Sequence, residues 1–244
     1  MNIPGEAGSA ASQDVNTFKR EAAEMALGFV QPGMVLGLGG GSTALFMVHH
    51  LAELLHEGKL HDIVGIPCSN ETADLAKNLD IPLVNLESHP TIDLTIDGAD
   101  EVDPHLNLIK GGGGYLLREK IVAQATVREV IIVDESKLSP VLGTHRTLPV
   151  EVVPFGIAGQ QRFLESLGSN PVLRLTKDGS LFHTENGNVI LDCEFGPISD
   201  PAALADRLDK RAGVAAHGLF LNLAADLVVC GVNGCKHIRR SEIS

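Results

Sequence analysis

Tryptophan is absent from this 244-residue chain and tyrosine occurs once; with 8 phenylalanines, aromatics make up only 4%. So few rings argue against the stacking platforms that hold single-stranded nucleic acid. Basic residues are also short, 19 Lys and Arg against 31 Asp and Glu, for a formal charge of −12. An acidic chain with no basic stripe is a poor partner for nucleic acid or an anionic membrane. A local pocket of amides and one or two lysines still outweighs a distant net charge, so a small anion remains a possible ligand. The 4 cysteines, Cys68, Cys193, Cys230 and Cys235, contain no Cys-x-x-Cys pair and lack the neighbours of a zinc site. All four are expected to be reduced thiols.

A long uninterrupted apolar run is missing too. Met25 to Ala52 carries no charge, but Pro32, six glycines, Gln31, Ser42, Thr43 and His49-His50 break it up. It reads as helix end, strand, glycine loop and helix rather than as a membrane span. The first twelve residues lack the basic start and apolar core of a signal peptide, so residues 1–13 are expected to be a disordered tail and the compartment cytoplasmic. At 44% hydrophobic and 20% charged, the bulk is an ordinary globular chain of one large domain or one with a smaller companion.

Hydrophobic spacing predicts a helix over Asp14–Phe29, a strand over Met34–Leu38 and a helix over Ser42–Glu57. Asp62–Ile66, Pro82–Asn85 and Ile92–Asp97 read as strands, and Asn70 as the N-cap of a helix over Glu71–Asn78. Tyr115–Thr126 reads as helix and Arg128–Val133 as strand. Such alternation means a parallel sheet covered on both faces. After Pro149 the texture changes: strands at Leu148–Val153 and Val172–Leu175, an Asn186-Gly187 hairpin turn, helices over Gly156–Leu167 and Pro201–Arg211, and a strand near Val214. That is a compact α+β unit of the ferredoxin-like type. Leu227–Gly231 returns to strand character and rejoins the first sheet. The expected fold is α/β, a Rossmann-like mostly parallel sheet with helices on both faces, plus the smaller unit. Residues 14–147 and 219–244 form the catalytic domain and 148–218 a lid or oligomerisation domain.

Chemistry concentrates in five segments. Gly37 to Thr43 joins a strand to a helix, where glycines admit an anion to backbone amides and the helix start adds positive dipole. Neither the dinucleotide fingerprint nor the P-loop lysine is present, so this is a phosphate cradle without a nucleotide signature, or else a turn needed for packing. Asp97-Gly98-Ala99-Asp100-Glu101-Val102-Asp103 follows the carboxyl end of a strand, where ligands of open α/β sheets bind. Glu101 and Asp103 read as a solvated acidic turn; Asp97 closes an apolar strand and does not. A divalent metal ranks lowest, since no His lies nearby and the spacing is not that of a calcium loop. Lys110 precedes Gly111-Gly112-Gly113-Gly114, and a lysine at the lip of such a loop can place charge on an oxyanion, if the loop is not merely a flexible surface one. Glu119 has Tyr115, Leu116, Val122 and Ala123 one turn away, a face that would desolvate it and raise its pKa toward that of a general base. Arg118 and Lys120 have apolar neighbours as well, so a buried ion pair is equally compatible with the spacing. Lys137, after the strand ending at Val133, either closes on a phosphate or lies on the surface.

Together these segments resemble the type A ribose-5-phosphate isomerase family. The matching stretches are Gly37 to Ala44 (GLGGGSTA), Leu94 to Glu101 (LTIDGADE), Ile109 to Gly113 with Arg118-Glu119-Lys120, Val133 to Lys137 (VDESK), Leu148 to Pro154 (LPVEVVP) and Asn186 to Asp192 (NGNVILD). They occur in the family's order and spacing over nearly the whole chain. The resemblance implies that Glu119 is the base shuttling a proton between C1 and C2 of the open-chain sugar. It implies that Lys110, with the amides of Gly111, Gly112 and Gly113, steadies the enediolate oxygen. Asp97 and Asp100 would hold sugar hydroxyls and assist ring opening, with Gly98 and Ala99 beside them. Gly40, Gly41, Ser42, Thr43 and Lys137 would line the sugar-phosphate site. The family often has threonine where Gly40 stands, so any contact from that hydroxyl is missing here or is replaced by water or backbone. No cofactor and no metal is implied; the partners would be a sugar phosphate and further copies of the chain, in a homodimer or homotetramer. Rival readings are a sugar-phosphate sensor without catalysis, which would want a DNA-binding helix-turn-helix, and an acyl-CoA-type transferase, which leaves Lys110 and the two aspartates unexplained.

Overall fold

The computed structural model describes residues 7–243, with side chains from Val15 onward. The chain runs α1 (Ala7–Leu27), β1 (Val35–Leu38), α2 (Gly41–His56), β2 (Val64–Pro67), α3 (Asn70–Asn78) and β3 (Ile92–Asp97). Two short strands, β4 (Glu101–Val102) and β5 (Leu108–Ile109), precede α4 (Leu116–Gln124) and β6 (Thr126–Asp134). Next come β7 (Leu148–Val152), α5 (Ile157–Ser166), β8 (Asn170–Leu173), β9 (Val189–Glu194), α6 (Pro201–Asp209) and β10 (Val214–His217). The chain closes with β11 (Leu219–Phe220), β12 (Ala224–Gly231) and β13 (Gly234–Arg239).

Six strands form the main sheet in the order β13-β12-β6-β3-β1-β2, all neighbours parallel except β13. The run Val130-Ile131-Ile132-Val133 shows why: β6 is buried on both faces and needs apolar residues at successive positions. On one face Leu38, Ile96 and Val130 meet small residues of α1 (Ala22, Ala23, Ala26) and the Met47, Val48 and Leu51 stripe of α2. The other face carries Val122 and Ala123 of α4. β1 lies between β2 and β3, so its connection through α2 leads one way while β3 sits on the other side. A crevice opens at such a switch point, at the carboxyl ends of β1 and β3.

The four-stranded antiparallel sheet has the order β10-β7-β9-β8, and α5 and α6 link its strands in the β7-α5-β8-β9-α6-β10 succession of a ferredoxin-like unit. Its core is Val150, Val152, Leu164, Leu191 and Leu208. β12 rejoins the main sheet as the sequence leads one to expect.

Several details differ from expectation. Helix α1 is already formed at Ala7, ahead of the expected start at Asp14; of the expected tail, residues 1–6 lie outside the described residues. Pro82–Asn85 makes only a single parallel bridge, Gly65 to Leu83, because Pro82 brings no amide to a ladder. Ser69, not Asn70, caps α3, its hydroxyl accepting from the Thr72 amide at 3.0 Å. The strand expected at Val172–Leu175 sits at Asn170–Leu173. Glu101 and Asp103 are not solvated: Glu101 accepts from the Gly143 and His145 amides at 2.8 and 3.1 Å, and Asp103 binds the amides of His105 and Asn107. Cys230 and Cys235 are joined by a disulfide, which corrects the reading of four reduced thiols. The β12–β13 hairpin sets them directly opposite each other, a pairing that spacing alone does not reveal. Cys68 and Cys193 are free and buried. Among the described residues no helix is long and apolar enough to cross a membrane.

Candidate active site

The crevice at the ends of β1 and β3 holds a cavity of about 90 Å³. Three loops and a short helical turn build it. From the β1–α2 loop come Gly40, Gly41, Ser42 and Thr43, where Gly41 takes φ +73°, a region open to glycine without strain. Gly39 just before them lies so close to β3 that a side chain would strike the Asp97 carboxylate at 2.3 Å. After β3 come Gly98, Ala99 and Asp100; after β5 come Lys110, Gly111, Gly112, Gly113 and Tyr115, with Glu119 one turn into α4. Lys137, on the 3₁₀ turn Glu135–Lys137 beyond β6, completes the wall.

Asp97 is the one expected residue that does not line the cavity. It lies beneath, 2% exposed, and organises the floor. One oxygen accepts from the Gly40 and Gly98 amides at 3.0 and 2.7 Å; the other meets the Lys110 ammonium at 2.9 Å. Lys110 Nζ also lies 3.2 Å from Glu119 Oε1 and donates to the Gly98 carbonyl. Burial by itself would favour a neutral amine, but Asp97 and Glu119 overrule it and hold the ammonium charged. Asp100 accepts from the Gly112 amide at 2.7 Å and so fixes the glycine loop.

Glu119 is 7% exposed, and its Oε2 has no hydrogen-bond partner. Burial pushes its pKa up, against the pull of Lys110, to about 7. A carboxylate with that proton affinity can both take and return a proton near neutral pH. The ambiguity along α4 is resolved by direction. Arg118 turns outward to Asn70 and Glu185, Lys120 donates to the His217 carbonyl at 2.6 Å, and Glu119 alone faces the cavity.

Cys68, Asp97 and Glu119 bring ligand atoms within 4.8 Å of one another. This set does not suit a divalent cation. The Lys110 ammonium already bridges both carboxylates, and burial pushes the Cys68 thiol well up, keeping it protonated.

Two residues of the site escape a reading of the sequence. Lys19 of α1 reaches Ser42 Oγ at 2.8 Å, bringing a second ammonium to the start of α2; a lysine on the polar face of a helix carries no local signal. Tyr115, the chain's one tyrosine, presents its ring to the cavity and donates to Glu71 at 3.1 Å.

A buried carboxylate held near neutrality, an ammonium across from it and amide-rich loops open to an anion can take a proton from a bound molecule and steady the negative charge that results. The sequence pattern of ribose 5-phosphate isomerase A (phosphoriboisomerase A) matches residues 64–234. Ribose-5-phosphate isomerase A of Chloroflexus aurantiacus is 57% identical over 226 residues, 93% of this chain and 95% of that one. The protein of the same name from Desulfatibacillum aliphaticivorans is 56% identical over 93% of this chain and 98% of its own. Among solved structures, ribose 5-phosphate isomerase from Plasmodium falciparum superposes with a TM-score of 0.89 at 38% identity, covering 92% of this chain and 98% of that one. A D-ribose-5-phosphate isomerase in complex with phospho-erythronic acid superposes with a TM-score of 0.90 at 37% identity, over 92% and 99%. This chain belongs to the ribose-5-phosphate isomerase A family.

Proposed function

We propose that the protein interconverts D-ribose 5-phosphate and D-ribulose 5-phosphate through an enediolate. One observation carries this reading: Glu119, Lys110 and Asp97 meet within hydrogen-bonding distance at the floor of an anion-friendly cavity. Aldose–ketose isomerisation moves a proton between adjacent carbons and places negative charge on the oxygen beside them. Glu119 is the base at carbon. Lys110 and the glycine-loop amides are the electrophile at oxygen, worth several kcal/mol of barrier in a dry site. Asp97 keeps that ammonium charged, and Asp100 receives sugar hydroxyls. Ser42 and Thr43 at the start of α2, with Lys19 and Lys137, hold the phosphate, as a helix N-terminus with added ammonium groups does. A solved relative is in complex with phospho-erythronic acid, a phosphorylated acid, and a cavity of amides and ammonium groups such as this one suits a ligand with two anionic groups.

The reading extends to an assembly and a compartment. A homodimer or homotetramer is supported by apolar residues left on the small unit, Phe155 being 87% exposed and Val172 and Leu175 more than half. Residues 148–218 act as lid or oligomerisation domain, since Arg174 donates to the carbonyls of Gly111 and Gly112. Cytoplasm is the compartment proposed, where phosphorylated pentoses turn over; one relative, from Arabidopsis thaliana, is named chloroplastic. The direct experiment is to mix purified protein with ribose 5-phosphate in deuterium oxide and follow ketose formation. Ketose should accumulate to an equilibrium mixture, with solvent deuterium entering the product. No ketose at micromolar enzyme refutes the proposal.

A further inference from the structure

We infer that Tyr115 is a positioning residue for this isomerisation: its ring fills the space left open by Gly40 and walls the Glu119 carboxylate off from water. The inference rests on the proposed function and goes beyond it by assigning a role to a residue outside the proton-transfer set.

Three groups converge on one point. A Cβ placed on Gly40 would lie 3.3 Å from Tyr115 Cδ2, 3.3 Å from Cys68 Sγ and 3.6 Å from Glu119 Oε1. A side chain at position 40 would press on the ring and shift it by a few tenths of an ångström, whereas glycine leaves it room. The same edge of the ring is confined by the glycine loop as well, since a Cβ on Gly113 would lie 3.0 Å from Tyr115 Cε2 and 3.1 Å from Cδ2. The phenol oxygen donates to Glu71 of α3 at 3.1 Å, which tethers the ring at the cavity rim. Tyr115 stands four residues before Glu119, one helical turn away on the same face of α4. Packed against two bare glycines and tied at its hydroxyl, the ring stands beside the Glu119 carboxylate in the cavity wall. Glu119 Oε2 is buried yet unbonded, so water let in there would solvate it first.

The other charged or titratable groups around Glu119 sit on different elements: Lys110 after β5, Asp97 at the end of β3 and Asp100 just beyond it, Cys68 after β2 and Glu129 on β6. A change at Tyr115 alters none of them directly. What changes is hydration of the base.

The test uses the full chain with Tyr115→Ala and Tyr115→Phe, measuring kcat and KM for ribose 5-phosphate across pH, alongside thermal melts. Tyr115→Ala should lower kcat about tenfold while leaving KM within about twofold, with the acid limb of kcat displaced to lower pH as the base becomes hydrated. Tyr115→Phe keeps the ring and should restore both kcat and the limb. A lower melting temperature with an unmoved limb means a packing role alone and overturns the inference; so does a loss confined to KM, which would put the ring on the substrate. Gly40→Ala gives a second, independent measurement. Its cost should shrink in the Tyr115→Ala background, because the methyl no longer meets a ring, and equal cost in both backgrounds overturns the inference. An unsubstituted chain that forms no ketose overturns the proposed function itself, and this inference with it.

Discussion

Replacing Lys110 with methionine removes the ammonium and keeps the bulk of the side chain. In the folded protein that ammonium lies 2.9 Å from Asp97 and 3.2 Å from Glu119, and all three side chains are nearly inaccessible to water. Taking one partner out of such a set leaves buried charge uncompensated, a cost of about 3–5 kcal/mol. For a chain of this length, that corresponds to a melting-temperature loss on the order of 10 °C. The loss should depend on pH in a defined direction. Without the ammonium, Glu119 holds its proton still more tightly folded than unfolded, so the folded state binds more protons. Stability then falls as pH rises, and the deficit should be smaller at about pH 5.5 than at about pH 8. Activity suffers twice. The oxyanion loses its electrophile, a factor of about 10²–10³ in kcat. Glu119, freed of the cation that lowers its pKa, also becomes protonated further above neutrality, so the acid limb moves to higher pH. Ketose formation from ribose 5-phosphate and calorimetric melts at the two pH values measure all of this. Activity close to that of the unsubstituted protein, or an equal stability loss at both pH values, would refute the reasoning.

Four further outcomes are expected. Glu119→Gln should reduce kcat by orders of magnitude with KM little changed, since the base acts in the transition state; near-full activity removes Glu119 from the chemistry. In the unsubstituted protein kcat/KM should fall as pH drops through about 7, because the base must be ionised; the same raised pKa makes the Glu119 contribution to stability largest at low pH and lost as pH rises through that value. A limb near the ordinary carboxylate range would contradict the burial described here. Lys19→Ala and Lys137→Ala should each raise KM for ribose 5-phosphate by about tenfold or more, the worth of a charge-assisted contact, with kcat largely kept; a pure kcat effect would move either lysine to the reacting end. Activity should survive prolonged dialysis against EDTA, and loss restored by Mg²⁺ would reopen a metal reading of the Cys68, Asp97 and Glu119 cluster.

The parallel sheet was legible because β3 and β6 carry their signal locally, in alternating or continuous apolar runs closed by Asp97 and Asp134. The ferredoxin-like unit followed from two helices, an Asn-Gly turn and the strands between them. Two-residue strands such as β4, β5 and β11 are too short to impose a period, and their three-stranded sheet went unread. Around the cavity, the glycine loops and Lys110 announced themselves by composition. Glu119 needed the fold, since only the orientation of α4 separates it from Arg118 and Lys120. Lys19 comes from the polar face of the helix preceding β1, 23 residues before Ser42, and the disulfide from a register; neither leaves a trace in the spacing of residues along the chain.

The glycine loop is held from behind by chain that arrives much later. The Lys110 amide donates to the Gly218 carbonyl at 2.9 Å, and Arg174 reaches the carbonyls of Gly111 and Gly112. Every side chain assigned to the reaction or to phosphate lies between Lys19 and Lys137, yet the loop carrying the electrophile takes its shape from residues beyond 170. A shortened protein ending near residue 147 would therefore keep the full chemical inventory and lose the geometry. Nascent chains emerging from a ribosome pass through that same condition, and competence to turn over sugar arrives only once the last third of the polypeptide has closed against the glycine loop.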